Sequence, residues 1–294
     1  MRKPFFTGAC TALVTPFCEG KIHSSMLEIL LERQIRAGIR TVVICGTTGE
    51  ASTLSDAEKI ELFRTAKKYT GDRCKIIAGT GSNDTAHSIN LSLEAEKCGA
   101  DGLLVVSPYY NKATPEGLYL HYSTIAQAVH IPLILYNVPS RTGVDIPVEI
   151  YRRLAEIPNI VGVKEASTDI CKIGKIRQLC PLDFSVWAGN DDHIIPMMAM
   201  GAQGVVSVAS NVVPVEIQTM AQAALAGDFD TGASLQIQFL PLIESLFSEV
   251  NPIPVKEAMR ILGYDCGECR LPLCQMSTPN RAKLMNRIKE FAIL

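Results

Sequence analysis

The amino-acid sequence predicts an α/β fold: a closed (β/α)8 TIM barrel with a C-terminal helical appendage. Eight short apolar runs rich in β-branched residues recur along the chain, their starts roughly 20 to 35 residues apart, the length of one strand–helix unit. Amphipathic stretches of helical period fill the gaps between them. The runs carry no polar alternation, as suits a parallel sheet covered on both faces. A doubly wound open sheet is the alternative, but it usually has fewer strands and a glycine-rich fingerprint after the first.

The strand runs are ACTALVTPF (9–17), TVVICGTT (41–48), CKIIAGTG (74–81), GLLVVSPY (102–109), PLILYNVP (132–139), IVGVKEAS (160–167), FSVWAGN (184–190) and GVVSVASNV (204–212). Helical patterns cover 24–38, 55–69 and 83–99 among others. Ser55, and either Asn83 or Asp84, stand where N-caps belong, and Gly38 and Gly99 where helices stop. Beyond residue 226 the strand runs cease, and 227–247, 255–263 and 278–294 read as helices. The expected organisation is a barrel catalytic domain over 1–226 and a helical region over 227–294, packed beside it without a Ser/Gly-rich linker.

Lys plus Arg number 28 against 30 for Asp plus Glu, so no basic excess points to nucleic acid or to a membrane surface. No apolar run approaches the roughly 20 residues that span a bilayer. The N-terminal stretch is interrupted by Pro4, Thr7, Thr11, Thr15 and Pro16 and does not read as a signal peptide, so a cytoplasmic protein is expected. Ten cysteines are many, but a chain of 294 residues needs no disulfide framework, and reduced, mostly buried thiols are the expectation. Cys266-Gly-Glu-Cys269 lacks the second CxxC or His pair of a zinc site, and no metal is expected there.

In a barrel of this type the chemistry sits at the C-terminal strand ends. Lys164 ends an apolar run, where loss of solvation favours the neutral, nucleophilic amine; the competing reading is a structural lysine paired with a buried carboxylate. Gly162 would leave space below it if Ile160, Gly162 and Lys164 share one strand face. Tyr136 ends the preceding run and could relay protons, or merely pack. GTTGE (46–50) offers Thr47 and Thr48 hydroxyls and backbone amides suited to a small carboxylate, though GTTG could be an ordinary turn. It lacks the GK[ST] ending of a nucleotide loop. Arg141, on a loop five residues after Tyr136, could grip a carboxylate bidentately or be a solvated surface residue.

Two rival chemistries find little support. A metal-dependent aldolase needs converging histidines, and none of the five ends a strand. A phosphate-binding barrel wants glycine-rich loops after strands seven and eight; here they read GNDD and ASNV, and Asp191 and Asp192 would repel phosphate.

GTTGE, SPYYNK, YNVPSRTG, VGVKEAS, the AGNDD turn, GVVSVASNV and NPIPVKEAM followed by RLPL resemble the signatures of the dihydrodipicolinate synthase family. They run from the N-terminal TPF to RLPL and so span nearly the whole chain. VGVKEAS and GTTGE are shared with wider Schiff-base lyases such as N-acetylneuraminate lyase, whereas the Arg of YNVPSRTG and the Tyr-Tyr-Asn are more particular to the synthases. The resemblance implies that Lys164 forms a Schiff base with pyruvate, that Tyr136 donates and accepts protons, and that Thr47 and Tyr110 continue its relay, Tyr110 entering from a neighbouring subunit. Thr48 would bind pyruvate, the backbone carbonyl of Val206 would face the Schiff-base nitrogen, Gly189 would belong to the substrate site, and Arg141 would hold the carboxylate of L-aspartate 4-semialdehyde. Family members often have Ile where Val206 stands. No metal or organic cofactor is implied. The implied assembly is a homotetramer, a dimer of dimers, and the implied role is in diaminopimelate and lysine biosynthesis. A sister lyase acting on another aldehyde or sugar acid is the alternative. Where lysine-inhibited members carry two histidines and a glutamate, this sequence has Asp56, Lys59 and His87, which implies little inhibition by lysine.

Overall fold

The computed structural model describes residues 3–291. Eight parallel strands close into a barrel: β1 (Gly8–Ala12), β4 (Thr41–Ile44), β5 (Lys75–Gly79), β6 (Gly102–Val106), β7 (Leu133–Asn137), β8 (Ile160–Glu165), β9 (Ser185–Ala188) and β10 (Gly204–Ser207), with β10 pairing back onto β1. A hairpin of β2 (Phe17–Cys18) and β3 (Lys21–Ile22) stands outside the barrel. The sequence pattern did not separate it from the first run, because two-residue strands carry no readable alternation.

The helices alternate with the barrel strands. They are α1 (Ser24–Arg36), α2 (Asp56–Thr70), α3 (Thr85–Lys97), α4 (Pro115–Ala128), the one-turn α5 (Pro139–Thr142), α6 (Val148–Leu154), α7 (Cys171–Leu179), α8 (Ile194–Ala199) and α9 (Pro214–Leu225). Their ends follow the local chemistry. Ser55 and Glu58 form a reciprocal capping box at the start of α2. Asp84, not Asn83, caps α3 by accepting the Ala86 N–H. Gly38 and Gly99 adopt the left-handed conformation that ends their helices, at φ +84° and +82°. The C-terminal region is α10 (Phe229–Leu246), α11 (Ile253–Ile261) and α12 (Thr278–Glu290); residues 292–294 of the expected last helix lie outside the described residues. Among the described residues, no helix is long and apolar enough to cross a membrane.

Apolar residues form two layers. The larger lies between strands and helices, including Val42, Leu103, Leu135, Ile160 and Val163. The smaller fills the barrel, with Phe6, Cys10, Val43, Ile77, Leu104, Ile134, Tyr136, Trp187 and Val206. Phe6 and Trp187 stack at 4.6 Å, and the Trp187 indole N–H donates to the Phe6 carbonyl at 3.1 Å.

One expectation about β8 is corrected. Leu133 pairs with Ile160 but Ile134 pairs with Gly162, a bulge that leaves Val161 without a partner in the register. Ile160 therefore joins the outer layer while Gly162 and Lys164 follow the inward register of Ile134 and Tyr136. Nor is the space at Gly162 empty: a Cβ there would lie 2.8 Å from the Trp187 ring and 2.2 Å from the Ser185 carbonyl oxygen. The glycine lets β9 and its tryptophan close against β8.

Candidate active site

Tyr136 and Lys164 are register partners on adjacent strands, so both side chains enter the barrel mouth. The Lys164 ammonium lies 4.3 Å from the centre of the Tyr136 ring. Lys164 is 5% exposed and, among the described residues, has no carboxylate within ion-pair distance, although the charge of buried Asp191 is felt from further off.

The neighbours of this pair are locked on the outer side of the sheet. The Asn137 amide donates to Glu165 and to Asp145, both at 2.7 Å, and the Tyr151 hydroxyl donates to Glu165 at 3.0 Å. Lys172 reaches Glu165 at 3.6 Å and also pairs with Asp145. Every second residue at these strand ends thus anchors the scaffold while its neighbour faces the mouth. Burial pushes the Tyr151 hydroxyl far up, and the Glu165 charge adds to the effect, so this phenol stays protonated. Sequence reasoning assigned no role to this network, although Asn and Glu beside a candidate pair in apolar runs were the available signal.

The GTTGE turn follows β4. Cys45 and Glu50 both take left-handed backbone, at φ +57° and +56°. Gly79 of β5 lies so close that a Cβ would meet the Cys45 carbonyl oxygen at 2.1 Å. The amides of Gly49 and Ala51 donate to the Gly46 carbonyl and that of Glu50 to Thr47, at 3.0–3.3 Å. Within GTTGE the Gly49 and Glu50 amides are therefore spent inside the turn, and the hydroxyls of Thr47 and Thr48 are among the polar groups left to face a ligand. The turn is tied from outside the barrel. Buried Glu50 accepts from Lys256 of α11 at 2.8 Å and from the Arg270 amide at 2.9 Å, and the Asn251 amide donates to the Thr48 hydroxyl at 3.0 Å. The sequence marked NPIPVKEAM as a signature without revealing that its polar residues brace this turn.

Thr47, Tyr136 and Arg141 line one cavity of about 940 Å³, which extends past Tyr109 to Asp56, Lys59 and His87. Asp56 there is held by His87 at 2.9 Å and Lys59 at 3.6 Å, and the His87 hydrogen bond is the main reason its carboxyl titrates lower than usual. Arg141 stands on α5, not on an open loop. It is exposed, and its guanidinium donates to the Asn251 carbonyl at 3.3 Å. Val206 is fully buried in the inner layer. Gly189 sits where a Cβ would come within 2.6 Å of the Ala166 side chain, and its amide donates to the Glu165 carbonyl. The glycine thus serves the close approach of two strand ends.

Two sequence-stated residues behave differently from the rest. Tyr110 is 90% exposed at φ +70° and is not brought to the cavity of its own chain. Asp191 is a brace: it is buried and accepts the Val208 and Ala209 amides at 2.9 and 3.1 Å, while burial raises its carboxyl above the usual range. Among the described residues, no cluster of His, Cys, Asp or Glu is arranged to hold a metal ion.

The profile of the dihydrodipicolinate synthetase family matches residues 5–291. The 4-hydroxy-tetrahydrodipicolinate synthase of Acetivibrio thermocellus is 46% identical over 294 residues, all of both chains. That of an Exiguobacterium species is 49% identical over 287 residues, 97% of this chain and 98% of the relative. The crystal structure of dihydrodipicolinate synthase from Aquifex aeolicus superposes with a TM-score of 0.97 at 44% identity, covering 98% of this chain and 99% of that one.

Proposed function

The chain belongs to the dihydrodipicolinate synthetase family of lyases, and on that premise we propose that it condenses pyruvate with L-aspartate 4-semialdehyde, a step of diaminopimelate and lysine biosynthesis. The observation that carries the proposal is the buried Lys164 side-chain nitrogen beside the Tyr136 ring at the barrel mouth. The Lys164 amine adds to the pyruvate ketone to give a carbinolamine, and loss of water leaves the Schiff base. Tyr136, with Thr47 behind it in the same cavity, carries the protons of addition and dehydration. Loss of a methyl proton then gives the enamine, whose carbon attacks the aldehyde of the second substrate. The amine of that substrate displaces Lys164 as the ring closes, which returns the free lysine.

Thr48 holds the pyruvate carboxylate, the Val206 carbonyl faces the Schiff-base nitrogen, and Gly189 keeps the strand ends close enough for the pocket to form. Arg141 holds the carboxylate of the semialdehyde; at the rim of the cavity it has guanidinium donors to spare beyond the Asn251 contact. Tyr110 completes the relay of a second copy, in a homotetramer built as a dimer of dimers.

The test is a coupled assay with pyruvate and L-aspartate 4-semialdehyde, run beside sialic acid cleavage. Turnover of the first pair alone supports the proposal. Cleavage of sialic acid without that condensation would assign the chain to the sugar-acid lyases instead.

A further inference from the structure

We propose that Asn251 is a positioning residue for the 2-oxo acid, acting by fixing the direction in which Thr48 points its hydroxyl proton. The inference rests on the reading that Thr48 binds the pyruvate carboxylate. Thr48 is 2% exposed, and among the described residues its hydroxyl oxygen has a single hydrogen-bond partner, the Asn251 amide nitrogen at 3.0 Å. A hydroxyl has one proton to give and lone pairs to accept with, whereas a carboxylate only accepts. The Asn251 N–H occupies the accepting side of the oxygen, which leaves the Thr48 proton free for a carboxylate. If residue 251 accepted instead, the hydroxyl would spend its proton there and turn a lone pair toward the anion.

Asn251 is 6% exposed, its side-chain Oδ1 has no hydrogen-bond partner among the described residues, and its main-chain carbonyl is held by Arg141 at 3.3 Å. Its side chain therefore serves the pyruvate half of the site and its main chain the semialdehyde half. A change confined to the side chain should separate the two.

Asn251→Asp keeps the shape of the side chain but replaces the donor with an acceptor and adds a negative charge, whose direct repulsion of pyruvate the Thr48→Val background reads separately. The measurement is the pyruvate concentration that half-saturates borohydride-trapped adduct, with the KM of the semialdehyde taken alongside. Asn251→Asp should raise the pyruvate value by about 10- to 100-fold, and Asn251→Ala by only about 2- to 10-fold. The semialdehyde KM should stay within about twofold in both. Adding Asn251→Asp to Thr48→Val should then change little, because the hydroxyl it acts through is gone. Asp behaving like wild type, or Ala proving worse than Asp, overturns the proposal. If Asn251→Asp folds poorly, Ala carries the test: a loss confined to pyruvate supports the proposal, and equal losses for both substrates overturn it. Wild-type protein that traps no pyruvate would overturn the functional reading beneath it, a result distinct from trapping that ignores residue 251.

Discussion

Arg141 is exposed at the rim of the cavity, yet it is the residue whose loss should divide the two substrates. On the proposed reading, truncating it to Ala removes a bidentate, charge-assisted grip worth about 1.5–3 kcal/mol, or about 10- to 150-fold. We expect kcat/KM for L-aspartate 4-semialdehyde to fall by that factor while pyruvate adduct forms as before; an unchanged KM and kcat would make it a plain surface arginine. At this scale the sequence was legible where a polar residue interrupts an apolar strand end, as at Tyr136 and Lys164. It was not legible for Asn251, which meets Thr48 across 203 residues of chain. Neither local pattern nor spacing carries such a contact. Gly162 shows a third case: the glycine stood out, but the Trp187 ring that needs it lies on another strand.

Among the elements, α11 and the segment after it do more than pack beside the barrel, because Lys256 and Arg270 close on Glu50 at the end of the GTTGE turn. Lys256→Met leaves the Glu50 carboxylate buried with its main partner gone, at a cost of about 3–5 kcal/mol read from urea unfolding. Adding Glu50→Gln should recover part of that; no recovery would mean that the pair is not the cause. Helix α4 carries a different signal. Burial lowers His121 from 6.5 to about 4, and Thr85 bonds its Nδ1 at 2.9 Å. Below pH 6.5 the unfolded chain takes up this proton and the folded one does not, so stability falls as pH drops from about 6.5 to about 4. His121→Asn, which keeps a partner for Thr85, should flatten the slope of Tm over that window; an unchanged slope would place the proton uptake elsewhere. The same scale shows what the pattern could resolve. Strand runs and capped helices such as α2 follow from local chemistry, whereas the short β2–β3 hairpin, the bulge opposite Ile134 and the single turn of α5 depend on tertiary packing.

For the molecule as a whole, Tyr110 poses the question of assembly. Tyr110 is 90% exposed at positive φ in its own chain, and the proposed relay uses it in a second one. Inactive Lys164→Ala subunits mixed with inactive Tyr110→Phe subunits should regain activity, because some mixed sites hold both wild-type residues. An active monomer in sedimentation would contradict the shared site. The central claim is that Lys164 is the nucleophile, and intact-mass analysis tests it most directly. Borohydride added to the protein with pyruvate should increase its mass by one reduced pyruvate adduct, located by peptide mapping to Lys164 and lost in Lys164→Ala. An adduct that persists in Lys164→Ala, or maps to another lysine, would contradict the account.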